Sequence, residues 1–185
     1  MWTPGDHVED STQNSFVPGY HPDQPIPFSH KLHAGDRQIG CQFCHSGARR
    51  SITAGIPSVS TCMGCHKFVA TESDSIKYIK EKFDNNEPIK WTKVHDLPDY
   101  VRFSHRAHLQ AKDHSGKLLL GDNPDEVCMK CHGKVKEMGT AEHYAPLQMG
   151  WCIECHNKTQ EIPAQGNQPA KKVKYASVTC NTCHY

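Results

Sequence analysis

Cys62-Met63-Gly64-Cys65-His66 is one of five copies of a single unit that decides how this chain folds. The others are Cys41-Gln42-Phe43-Cys44-His45, Cys128-Met129-Lys130-Cys131-His132, Cys152-Ile153-Glu154-Cys155-His156 and Cys180-Asn181-Thr182-Cys183-His184, and together they use all 10 cysteines. C-x-x-C-H is the attachment signature of c-type haem. Two thiols three positions apart meet the two vinyl groups on one porphyrin edge, and the adjacent imidazole reaches the iron from the proximal side. With 14 His in 185 residues, chance would place His after all five pairs with a probability of about 2 in a million. A disulfide framework explains ten cysteines but does not require a following His. Zinc sites group four ligands per metal and do not repeat one five-residue unit five times.

The rest of the composition agrees. Only 36% of the 185 residues are apolar, which is thin for a core made of side chains alone. Five covalently bound haems, one per 37 residues, supply what is missing. The expected fold is therefore a multihaem cytochrome c, mostly α with extensive irregular loops and little sheet, the haems forming the core. A net charge of +1 gives no electrostatic case for nucleic acid. No run of about 18 apolar residues exists to cross a bilayer, and the stretch from Met1 to Asn14 lacks the apolar region of a secretion signal.

Nine histidines lie outside the attachment units. Four of them fall in a repeat: Phe28-Ser29-His30-Lys31-Leu32-His33 recurs as Phe103-Ser104-His105-Arg106-Ala107-His108, 75 positions later. Each copy precedes two attachment units. The chain thus divides into a polar N-terminal segment (1–18), a first dihaem module with an amphipathic helix (19–100), a second dihaem module (101–160), and a linker with the fifth haem site (161–185). Two His at i and i+3 share a helical face and cannot reach opposite sides of one iron, so each pair serves two irons. His30, His33, His105 and His108 are the expected distal ligands of four haems, opposite the proximal His45, His66, His132 and His156. For the fifth, whose proximal ligand is His184, the candidates are Met149, His95 and His143. Met149 sits on a Pro- and Gly-flanked loop that can present a thioether, or it packs on a porphyrin as an ordinary core residue. His7, His21 and His114 stand in polar surroundings and read as surface residues.

Elsewhere, Glu72 to Asn86 reads as an amphipathic helix with Thr71 or Ser73 as its cap and Ile76, Ile79 and Phe83 on one stripe. Glu161 to Lys174 reads as an extended linker, and Lys171, Lys172 and Lys174 as a solvated basic stretch.

Three stretches carry a resemblance. Gly19 to Gly35, Val94 to His105 and Pro146 to Cys152 resemble the pentahaem cytochrome subunits of bacterial alternative complex III, and more distantly the class III multihaem cytochromes with their F-x-H-x-x-H unit. The likeness runs over about residues 19 to 185. It implies an electron-transfer subunit, not an enzyme in its own right, on the periplasmic side of the bacterial inner membrane. Its partners would be iron–sulfur and integral membrane subunits, with a monohaem cytochrome c or terminal oxidase as acceptor. The family's His/Met haem favours Met149 as the fifth distal ligand. Members of the family usually carry a membrane helix ahead of the Gly-Tyr segment, where Met1 to Phe16 is polar here. Association through partners or a missing anchor is the expectation. The stretch from Leu109 to Val127 is longer than the resemblance leads one to expect. A free periplasmic shuttle and a multihaem reductase are the rival readings.

Overall fold

The computed structural model describes residues 17–185; His7 and nearly all of the expected N-terminal segment 1–18 lie outside them. Each attachment unit forms or ends a short helix: α1 (Cys41–Cys44), α2 (Val59–His66), α5 (Pro124–His132), α6 (Met149–His156) and α7 (Cys180–Cys183). The i, i+3 spacing explains this, because one helical turn puts both thiols on the same face. The two repeated histidine pairs also lie on single helical turns. His30 caps a π-helical turn, Lys31–Asp36, and His105 opens α4 (His105–Gln110). Irregular chain makes most of the connections.

Helix ends follow local chemistry. Asn123 caps α5, its Oδ1 accepting from the amides of Asp125 and Glu126 at 3.1 Å each, with Pro124 in the first turn. The helix stops at Gly133, whose φ of +70° and whose approach to the Tyr144 ring, 2.6 Å from where a Cβ would stand, leave room for glycine alone. The amphipathic helix is α3 (Asp74–Asp84), with Ser73 at the N-cap position, its side chain making no capping bond, and Asn85 at the C-cap. Its Ile76 and Ile79 are buried, and Phe83 lies at the margin.

Side-chain core is scarce. Ile26, Met63, Ile76 and Ile79 form a cluster between α2 and α3, flanked by Val59, Tyr78, Ile89 and Trp91. Gln24 clasps the chain beside it, donating to the Thr92 carbonyl at 3.0 Å and accepting from the Thr92 amide at 2.9 Å. This cluster buttresses the second attachment helix. The protein exposes 12984 Å² of accessible surface, against about 8,900 Å² for a compact monomer of its mass. Sixteen residues outside the described range add at most about 2,600 Å² by the same scaling. The polypeptide does not close on its own side chains.

The 161–174 segment corrects an expectation. Instead of an extended linker it forms an antiparallel hairpin, β1 (Thr159–Ile162) with β2 (Lys171–Lys174), in register from Thr159 opposite Lys174 to Ile162 opposite Lys171. Pro163 and Pro169 stand just outside the paired residues and cost the ladder nothing. Gln165 and Gln168 exchange both backbone hydrogen bonds (3.1 and 3.0 Å) across a turn that includes Gly166. Glu161 and Lys172, directly opposite, pair at 3.4 Å. The long stretch after α4 is likewise ordered: Asp113 Oδ1 accepts from Ser115 and Lys117, and the His114 amide donates to Gln160 on β1 at 3.1 Å.

Candidate haem-attachment sites

The two copies of the Phe-Ser-His-x-x-His unit are built alike. Phe28 stacks on His33 at 4.5 Å between centroids and meets His30 edge-on at 5.0 Å; Phe103 stacks on His108 at 4.5 Å and meets His105 edge-on at 4.9 Å. In each copy the serine hydroxyl accepts an amide three residues on, and the serine carbonyl accepts from Nδ1 of the second histidine at 2.8 Å. The phenylalanine ring and the serine thus orient the imidazoles.

These imidazoles face the attachment histidines one to one. His30 faces His45 at 6.4 Å between ring centroids, His33 faces His66 at 6.2 Å, His105 faces His132 at 6.3 Å, and His108 faces His156 at 6.1 Å. Two imidazoles bound through Nε2 on opposite sides of one iron, with metal–nitrogen bonds of about 2.0 Å, put their centroids about 6.3 Å apart. All four separations match that span.

Tautomer and charge agree with ligation. Nδ1 of His45 lies 2.7 Å from the Gly55 carbonyl, that of His66 3.0 Å from Val69, that of His105 2.9 Å from Ile52 and that of His156 3.0 Å from Ser177. A carbonyl only accepts, so each Nδ1 carries the proton and leaves the Nε2 lone pair free for a metal. Burial disfavours the cation and pushes His30 and His132 down to about 4, with neighbouring imidazoles adding to the effect. His108 moves in the same direction for the same first cause.

The thiols are arranged to match. All ten are free, and none of the described residues forms a disulfide. Burial raises Cys44 and pushes Cys131 up to about 11. Large apolar side chains beside the first site, Phe43, Ile52 and Ile56, stand open to solvent at 60% or more instead of packing on protein. Paired thiols, imidazoles at an iron-spanning distance and unburied apolar walls fit covalent haem.

The fifth site is less closed. His184 stacks on Tyr100 at 5.8 Å, and its strand-like backbone bridges Val101. Met149 opens α6 largely exposed, one turn ahead of Cys152, whose thiol is raised first by burial and then by the Cys183 thiol. His95 and His143 are elsewhere. His95 packs edge-on against His132 at 4.4 Å and touches His143 at 5.0 Å, and burial pushes His95 down to about 3. His143, 1% exposed, is the most buried side chain described. The two therefore gather at the third site. Sequence reasoning did not find this cluster, nor the Tyr100 stack, nor the carbonyls that hold the Nδ1 protons. A backbone acceptor has no side-chain signature.

Repeated covalent attachment units on a sparse, loop-rich scaffold with little sheet define a multihaem c-type cytochrome. No protein-family model matches the chain. It is 30% identical over 165 residues to the multihaem cytochrome c subunit of menaquinone reductase from Nitratidesulfovibrio vulgaris (strain Hildenborough), covering 88% of this chain and 77% of that protein. The chain belongs to this family of multihaem cytochrome c subunits from quinone-linked electron-transfer complexes.

Proposed function

We propose that this chain is a pentahaem electron relay in a membrane-bound quinol-oxidising complex of the alternative complex III kind, facing the periplasm. The observation that carries it is the set of four imidazole pairs at 6.1–6.4 Å, one for each of the first four attachment units. His30, His33, His105 and His108 are the distal ligands of those haems, and Met149 that of the fifth. The engagement of His95 and His143 beside His132 favours Met149 for that role. Haem supplies reversible one-electron chemistry at iron. The chain's part is to tether each group through two cysteines, to cap both faces, and to hold the Nδ1 protons of His33, His45, His66, His105, His108 and His156 on backbone carbonyls.

The name of the relative favours a second direction of flow, in which electrons arrive through the haems and leave to menaquinone. The partners differ accordingly: a monohaem cytochrome c or terminal oxidase accepts in the first case, and a reduced periplasmic donor supplies electrons in the second.

Detergent purification from the native membrane tests the reading. Iron–sulfur and polytopic subunits should co-migrate with the chain, and the pyridine haemochrome should return five haems per polypeptide. Elution of the chain alone makes it a free shuttle, and fewer than five haems ends the ligand assignment. Addition of a reduced quinol to the oxidised complex reduces the haems in the quinol-oxidising direction; reoxidation of pre-reduced haems by a menaquinone analogue reports the opposite one.

A further inference from the structure

The order of the attachment units along the chain is not their order in space. Within each repeat the geometry links neighbours in sequence. His30 and His33 sit on one turn and face His45 and His66, so the first and second sites adjoin; His105 and His108 do the same for the third and fourth. The fourth and fifth adjoin through the segment between them: the Ser177 carbonyl lies 3.0 Å from His156 Nδ1, and the Ala176 amide donates to the His156 carbonyl at 3.4 Å.

The junction between the two halves is the informative one. A sequence-ordered file would pass from the second site to the third. The contacts run instead between the first and the third. The loop following the first unit supplies the third site's distal ligand with its orientation: the Ile52 carbonyl accepts from the His105 amide at 3.2 Å and lies 2.9 Å from its Nδ1. Gln110 Nε2, at the end of α4, donates to the Arg49 carbonyl at 3.2 Å. On the other flank, the Lys31 amide donates to the Met138 carbonyl at 2.8 Å, tying the first distal turn to the chain just after the third unit. Meanwhile α2, which carries the second unit, packs on α3.

We infer that the five sites form a file in the spatial order second, first, third, fourth, fifth. The second site, buttressed by α3, and the fifth, at the C-terminal helix α7, are its two ends, from which partners are reached. This order rests on the reading of the units as haem sites, and a single experiment keeps the two apart. In the fully reduced, diamagnetic holoprotein, nuclear Overhauser contacts from each haem to its own cysteine β-protons assign it to a unit, and contacts between haems report which are neighbours. Five assigned haems with contacts joining 2–1, 1–3, 3–4 and 4–5, and none joining 2–3, are the expected result. Five assigned haems with a 2–3 contact, or without a 1–3 contact, overturn the order while leaving the cytochrome reading intact. Fewer than five sets of haem resonances overturn the pentahaem reading itself. Redox titration followed on the same methyl signals gives a second measure: the interaction between the first and third haems should exceed that between the second and third, and the reverse overturns the order.

Discussion

Gly47→Ala is the substitution that tests most directly how the first and third sites are held. Gly47 lies in the loop after the first attachment unit, and a Cβ there would stand 2.8 Å from the Ala54 carbonyl oxygen and 2.9 Å from that of Thr53. Ordinary contact asks for about 3.4 Å, so the 51–55 backbone must retreat by about half an ångström. The retreating segment includes the carbonyl of Gly55, 2.7 Å from His45 Nδ1, and that of Ile52, 2.9 Å from His105 Nδ1. Lengthened by that amount, both bonds approach the limit of useful hydrogen bonding. Overpacking of this kind costs about 1–3 kcal/mol. At roughly 2–4 °C per kcal/mol for a chain of this size, the unfolding midpoint should fall by about 2–12 °C. A weakened Nδ1–H bond also makes the imidazole a poorer donor to iron, which favours the ferrous state and raises the potential. Two haems should therefore move upward in a redox titration, and two ferric low-spin EPR signals should shift. The pairs concerned have nearly parallel rings, at 13° and 7°, whereas His33 and His66 are tilted by 62°, so their signals are separable by shape. Gly139→Ala, where nothing lies within 4 Å of the added carbon, is the control. An unchanged midpoint with all haem signals in place refutes the role given to this loop, and equal shifts at all five haems refute its confinement to two sites.

Ile79→Ala empties part of the apolar cluster between α2 and α3 and should cost about 2–5 kcal/mol in a denaturant titration, while the first, third and fourth haems keep their spectra. Phe103→Leu removes the ring stacked on His108; about 0.5–1.5 kcal/mol of aromatic contact is lost, and the EPR signal of the fourth haem should broaden as that imidazole gains freedom. Met149→Ala should abolish the near-infrared methionine charge-transfer band of the ferric protein, and its persistence would hand the fifth iron to another ligand.

Much of the site was legible because covalent chemistry writes itself into side-chain identity. A thioether needs cysteine at two positions three apart and an axial ligand needs imidazole, so no other residue can substitute and the pattern stands out from any background. The repeated Phe-Ser-His-x-x-His unit was legible for a related reason: one geometric problem, aiming two imidazoles from one turn, is solved twice by the same atoms. What sequence could not deliver is whatever the backbone does. The carbonyls of Gly55, Ile52, Val69 and Ser177 hold protons without regard to the side chain above them, and those of Ile52 and Ser177 reach a histidine of another unit or repeat. The same blindness explains the hairpin of β1 and β2. Its strands are four residues each, rich in Lys and Glu, and carry no apolar alternation, because they have no side-chain core to face. Their pairing depends on a turn closed by backbone bonds at Gln165 and Gln168. With few apolar side chains buried among the described residues, the hydrophobic period that normally betrays secondary structure is weak over much of the chain. The exception supports the rule. Along α3, where Ile76 and Ile79 pack on Met63, the period is clear and the helix was predicted to within two residues at each end.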